Sequence, residues 1–160
     1  MAQRTGASFW IFIAVLVVLH LVLHVAVGLG TVAPDLVTVA VLLAARRVKG
    51  SAAAAIGVGL GLLTDALSLT TFGALALVNG IVGFLGARSR DLFEGDSLLS
   101  VAVYVFLGKW LRDALYFVFT QSAHDYPWST LITSAPLAAV FAAAAALVAL
   151  MLYRAATGER

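Results

Sequence analysis

The chain has 160 residues, of which 62% are hydrophobic and 11% charged, and its formal net charge is +2. A mean hydropathy of +1.05 is too high for a domain with a charged, water-facing surface, so we predict an integral membrane protein. Because cysteine is absent, disulfides, thiolate metal sites and thiol nucleophiles are excluded. The small basic excess follows from where the basic residues lie, and we predict no nucleic-acid partner.

Six apolar runs divide the chain, and we predict an all-α fold with six transmembrane helices in one domain that covers residues 1–160. The second and third runs are short for a span of roughly 20 residues, so they are expected to be tilted or extended by their flanks. A five-helix alternative, in which the second run is re-entrant, remains open. The predicted helices are residues 9–29, 34–45, 52–67, 71–87, 98–120 and 131–153.

Basic residues outside the apolar runs occur only in alternate gaps between them. Because basic loops are retained in the cytoplasm, this alternation predicts both termini inside and an even number of crossings. Six helices satisfy that parity, which indicates a multi-pass protein of the cytoplasmic membrane. The residues concerned are Arg4, then Arg46, Arg47 and Lys49, then Arg88 and Arg90, then Arg154 and Arg160.

Motifs that would indicate an enzyme are missing from the sequence. It contains no G-x-S-x-G elbow, no H-E-x-x-H pair and no phosphate-binding G-x-x-x-x-G-K loop, so we predict a protein without catalytic, cofactor or metal sites. His20 and His24 share one face of the first helix at i, i+4 spacing, which would suit a metal pair. The alternative is that each histidine hydrogen-bonds a neighbouring helix.

The fifth helix carries a polar stripe within an apolar run. Its members fall within an arc of roughly 100° at helical periodicity. A charge near the middle of a membrane costs at least about 2.5 to 3.5 kcal/mol, so the stripe should face protein or a water-filled cavity. The stripe consists of Lys109, Arg112, Asp113, Tyr116 and Thr120.

We expect Lys109 and Asp113 to pair at i, i+4 spacing, and Arg112 to pair with Asp65 of the third helix. His20, His24 and Asn79 lie at comparable depth, which predicts a polar belt across the bundle. The belt either sets the register of the helices or surrounds a ligand or functional cavity, and both interpretations stay open.

Small residues form further stripes that indicate close helix packing. Gly57 and Gly61 precede Asp65 at four-residue spacing, and the fourth helix repeats glycine at every third position. Such faces gain association from close backbone approach, so we expect them to bind a partner's helix as well as neighbours within the chain. The repeat comprises Gly80, Gly83 and Gly86, and the sixth helix adds alanines at positions 142–146.

Pro34 and Asp35 are expected to open the second helix, with proline in the first turn and an acid at the positive end of the helix dipole. At this position Asp35 could also meet a partner at the outer surface.

From Ala33 to Arg90 the order of these features resembles MreD, the small polytopic subunit of the bacterial rod-shape machinery (the elongasome). The similarity runs through the Pro-Asp start of helix 2, the basic turn at Arg46 and Arg47, and two glycine-rich segments. Those segments are GVGLGLLTDAL, residues 57–67, and FGALALVNG, residues 72–80. Ala33 departs from the basic residue that often precedes Pro-Asp in the family, and the helix 5 stripe matches no family motif.

The resemblance implies a non-catalytic scaffold or regulator of peptidoglycan synthesis and cell shape. Its expected partners are MreC, the RodA and class B penicillin-binding protein pair, membrane lipid and, indirectly, MreB. MreD-like proteins in turn resemble the substrate-binding S components of energy-coupling-factor vitamin transporters, which supplies a rival function. Against that alternative, the first helix lacks the A-x-x-x-A contact of many S components, because Ala14 is followed four residues later by Val18.

Overall fold

The computed structural model describes residues 2–26, 34–67, 73–93, 97–120 and 129–158. Every regular element in these residues is helical, as predicted. In chain order they are α1 (Ala2–Leu21) with a π-helical turn (Val22–Ala26), α2 (Leu36–Ala45), α3 (Gly50–Leu67), α4 (Ala74–Ser89) with a 3-10 turn (Arg90–Phe93), α5 (Leu98–Phe119) and α6 (Ser129–Thr157).

Helix starts follow from local capping chemistry. The Asp35 carboxylate accepts a hydrogen bond from the backbone N–H of Thr38, so Asp35 is the N-cap of α2 and Pro34 precedes the helix. The sequence predicted Pro34 in the first turn of this helix, and the structure instead places it before the N-cap. Ser97 caps α5 in the same way by accepting from the backbone N–H of Ser100. The start of α5 agrees with the sequence prediction.

Three helical segments are long and apolar enough to cross a membrane: Gly6–His24, Gly50–Leu67 and Ile132–Thr157. The other three helices do not meet this criterion, each for its own reason. Helix α5 has 22 residues but contains three charged side chains, whereas α4 has 16 residues and α2 has 10. All ten residues of α2 are buried, so α2 is a short central helix enclosed by its neighbours.

Helices α3 and α4 form a tight hairpin in which the backbones touch. A Cβ atom added at Gly57 would lie 2.1 Å from the Asn79 carbonyl oxygen, and one added at Gly61 would lie 2.4 Å from the Ala76 Cα. A Cβ atom added at Gly83 would likewise lie 2.5 Å from the Ala53 carbonyl oxygen. The predicted close packing is confirmed, and it takes place within the chain.

The alanine run of α6 is also used internally. Ala142 and Ala146 are fully buried in the hydrophobic core, and α6 packs along α5. The outward surface of α6 carries bulky side chains instead, among them Phe141 and Leu152, which are 59% and 66% exposed. The hypothesis that the alanine face of α6 binds a separate chain is therefore wrong.

Basic segments from different parts of the chain meet at one end of the bundle. The Arg47 guanidinium lies 4.4 Å from the centroid of the Phe9 ring near the start of α1, and Phe9 contacts Tyr153 near the end of α6. Arg90, after α4, donates to the Val48 carbonyl at 3.2 Å. The start of α1 and the ends of α2, α4 and α6 thus lie together, and we call this the basic end.

Candidate functional site

The polar stripe of α5 forms a compact set of ion pairs. Lys109 Nζ lies 2.5 and 2.6 Å from the two carboxylate oxygens of Asp113, which confirms the predicted i, i+4 pair. Arg112 Nη1 donates to the same carboxylate at 2.9 Å. Asp113 therefore accepts from two cations at once.

Asp35 brings a second carboxylate to these residues from the start of α2. One of its oxygens lies 3.5 Å from Lys109 Nζ and 3.8 Å from Arg112 Nε, and also accepts from the Thr38 hydroxyl at 2.7 Å. We call Asp35, Lys109, Arg112 and Asp113 the charge cluster. It contains two acids and two bases, so its formal charges balance.

The sequence placed Asp35 in a possible contact at the outer surface, and the structure places it within the polar belt. A signal was available in the sequence, because α2 is short and an acid at its start must lie deep in the bundle if the basic turn after α2 stays at the surface. The Asp35 carboxylate caps α2 and also lies against Lys109 and Arg112 of α5. Spacing rules within a single helix cannot predict such a contact between helices.

The ring of His20 extends the site on the α1 side. It is 5% exposed, and it lies close enough to Asp35 and Arg112 to interact with both electrostatically. His24 stacks on it, with ring centroids 3.9 Å apart and an interplanar angle of 27°. Across the described ranges, no three side chains of His, Asp and Glu are grouped so that they could hold a metal ion.

Asp65 has a different role from the one predicted. Its carboxylate accepts from the backbone N–H groups of Gly73, Leu75 and Ala76 at 2.9 to 3.3 Å. These donors belong to the start of α4, where a helix leaves N–H groups without internal partners. The predicted pair of Asp65 with Arg112 is therefore wrong, because the α3–α4 hairpin carries the carboxylate to the start of α4.

The remaining members of the predicted belt lie either at the charge cluster or in the α3–α4 hairpin that contains Asp65. The Arg112 guanidinium lies 5.4 Å from the centroid of the Tyr116 ring, so Tyr116 lies beside the charge cluster. Asn79 belongs to the α3–α4 hairpin, is 1% exposed, and has a side-chain oxygen without a hydrogen-bond partner in the part of the chain that the structure describes. The single belt of the sequence prediction is thus two separate sites.

Comparison of this chain with models of known protein families, with curated proteins and with solved structures gives no match.

Proposed function

We propose that this chain is a six-helix, multi-pass protein of the cytoplasmic membrane with both termini inside, and that it serves as a non-catalytic subunit of the elongasome. The observation that carries the proposal is the order of features from Ala33 to Arg90, which resembles MreD. On this reading the chain acts with MreC and with the RodA and class B penicillin-binding protein pair to regulate peptidoglycan synthesis.

The arrangement of basic residues supports the proposed orientation. Four segments that the alternation predicts on the cytoplasmic side, before α1 and after α2, α4 and α6, have their neighbouring helix ends at the basic end. A protein with N-in and C-in topology and an even number of spans requires this convergence.

The packing of the α3–α4 hairpin gives a structural reason for part of the sequence that resembles MreD. Gly57 and Gly61 lie where any side chain would meet the α4 backbone, and Asp65 saturates the start of α4. These residues belong to the glycine-rich segment that carries much of the similarity. A close backbone crossing and a helix cap therefore account for why that segment has its composition.

Partner binding must use different surfaces from those first expected. The glycine faces of α3 and α4 and the alanine face of α6 are filled within the chain, so they are not available to the helix of MreC or of a transpeptidase. The outward surface of α6, with Leu137, Phe141 and Val148, is the alternative, and association there would depend on bulky side chains that interlock.

The proposal is tested by isolating the tagged protein from its native membranes in a gentle detergent and identifying the proteins that remain bound by mass spectrometry. Recovery of MreC, RodA or an elongation transpeptidase above an untagged control would support it. Recovery of a paired ATPase and a transmembrane coupling protein would contradict it.

The second outcome would identify the chain as the S component of a vitamin transporter. The observation that favours this alternative is the charge cluster, because a partly exposed set of two acids and two bases could orient a zwitterionic ligand.

A further inference from the structure

The charge cluster is incompletely covered and incompletely hydrogen-bonded. The side chains of Asp35, Arg112 and Asp113 are 17%, 15% and 17% exposed. Two buried nitrogens of the site, Arg112 Nε and His20 Nδ1, have no hydrogen-bond partner among the described residues. Buried donors and acceptors without a partner are uncommon in folded proteins, so two of them at one partly exposed site call for an explanation.

Helix geometry places the cluster near the middle of the bilayer in a chain oriented as proposed. Asp35 is separated from the basic end by the ten residues of α2, which span about 15 Å at 1.5 Å per residue. Lys109 is 11 positions after Leu98, about 16 Å along α5, from the same end. Because the hydrocarbon core is about 30 Å thick, both estimates give half its depth.

At that depth, the uncovered edge of the cluster requires a polar neighbour. Charged groups within a bilayer face the bundle interior or water, since contact with hydrocarbon leaves them without solvation. The exposed parts of Asp35, Arg112 and Asp113 therefore border a water-accessible space between the helices.

Charge balance then selects the kind of molecule that this space would bind. Two carboxylates and two cations already neutralise each other, and an added ion would leave a net charge at a site of low dielectric. A neutral molecule adds no net charge to the site.

The two unused nitrogens define the hydrogen bonding of that molecule. Arg112 Nε carries a hydrogen and can only donate. His20 Nδ1, which has no partner among the described residues, can donate or accept according to which ring nitrogen carries the proton. A hydroxyl or a carboxamide both accepts and donates, and so suits both nitrogens.

We propose that the charge cluster and His20 form a water-accessible site within the membrane that binds an uncharged molecule through a hydroxyl or carboxamide group. The inference goes beyond the proposed role as a scaffold and does not depend on which proteins bind the chain.

The absence of cysteine permits a direct test with single-cysteine variants in lipid nanodiscs and a charged, membrane-impermeant thiosulfonate reagent. Tyr116→Cys replaces a residue on the cluster face of α5, and Val118→Cys replaces a residue on the opposite face that is 62% exposed. Because the thiolate is the reactive form and needs water, Tyr116→Cys should react at least about tenfold faster than Val118→Cys. Equal rates would overturn water access, since Val118 is the nearer of the two to the end of α5.

Ligand preference is tested by protection of Tyr116→Cys with glycerol as a neutral hydroxyl probe and sodium acetate as a charged one. Glycerol should slow labelling at least about twofold relative to an exposed Ala156→Cys control, and acetate should not. Adding Arg112→Lys, which keeps the charge and removes Nε, should abolish the protection. Equal slowing by the two probes, or protection unchanged by Arg112→Lys, would overturn the proposed ligand class.

A second pair of positions keeps the test independent of one substitution. If Tyr116→Cys fails to accumulate, His24→Cys and Val22→Cys on the first helical segment replace the α5 pair. His24 stacks on His20 at the site, and Val22 is 45% exposed on the opposite side. Faster labelling of His24→Cys supports the site, and equal labelling contradicts it.

Discussion

Two aspartates lie in contrasting surroundings, and the structure gives each of them surroundings other than those predicted, which were an ion pair within the bundle for Asp65 and the outer surface for Asp35. Asp65 is 1% exposed and accepts from three backbone N–H groups at the start of α4. Asp35 is 17% exposed on its side chain and shares two cations with Asp113. A carboxylate saturated by backbone donors stabilises a fold, whereas one in a balanced and partly open charge cluster leaves interactions available for another molecule.

The difference extends to the regions around these residues. The α3–α4 hairpin leaves no room for a side chain at Gly57 or Gly61. The charge cluster, by contrast, has three partly exposed side chains, and two buried nitrogens of its site have no partner in the described ranges. We therefore expect substitutions in the hairpin to act on folding, and conservative substitutions in the cluster to act on access and binding.

The largest expected effect is at the backbone crossing of the hairpin. Gly57→Leu should prevent accumulation of folded protein, because even its Cβ would lie 2.1 Å from the Asn79 carbonyl oxygen. Gly59 provides a matched control, since a Cβ there meets no heavy atom within 4 Å. Gly59→Ala should be neutral or stabilise the helix by up to about 1 kcal/mol. Thermal unfolding in detergent measures both, and equal stability of Gly57→Ala and Gly59→Ala would contradict the close crossing.

The next effect concerns the charge cluster. Asp113→Ala should destabilise the protein by about 3 to 5 kcal/mol, because Lys109 and Arg112 would then share only Asp35. The double variant Lys109→Met with Asp113→Leu should lose less, since it removes a buried pair and not one partner. Unfolding free energies in the same detergent compare the two. A double variant less stable than Asp113→Ala would show that the pair is not coupled as the distances indicate.

A somewhat smaller loss is expected at Asp65. Asp65→Ala should cost about 3 kcal/mol, because three donors at the start of α4 lose their acceptor in a buried place. Asp65→Asn should recover part of this loss, since one side-chain oxygen remains.

A double-mutant cycle separates this cap from the ion pair that the sequence predicted. If Asp65 and Arg112 do not pair, the effects of Asp65→Ala and Arg112→Lys should add to within about 0.5 kcal/mol. A coupling energy well above that value would restore the Asp65 to Arg112 pair.

The smallest effect on stability is expected on the outward face of α6. Phe141 is 59% exposed, so Phe141→Ala should change the unfolding free energy by no more than about 0.5 kcal/mol. If this face binds a partner's helix, the same variant should recover less partner protein in the detergent isolation. Unchanged recovery of the bound partner would exclude Phe141 from the contact.

The sequence predicted where helices form and which small residues pack closely, because both follow from local patterns of residue type. Apolar runs located the helices to within a few residues over most of the described chain, and the spacing of Gly57 and Gly61 identified a face that another helix could approach closely. The partner of that face was not predictable. A stripe of small residues says that a helix fits, and not whether it comes from the same chain.

Local charge pairing was likewise accessible to sequence reasoning, as Lys109 and Asp113 on one helix show. The alternation of basic residues also anticipated the segments that meet at the basic end. Only tertiary structure decided that Asp35 would join the cluster and that Asp65 would cap α4. Those choices depend on the short central helix α2 and on the close packing of α3 against α4, which set the positions of carboxylates relative to other helices. Sequence spacing measures position along one helix, and it holds no information on which of two buried acids a neighbouring cation will reach.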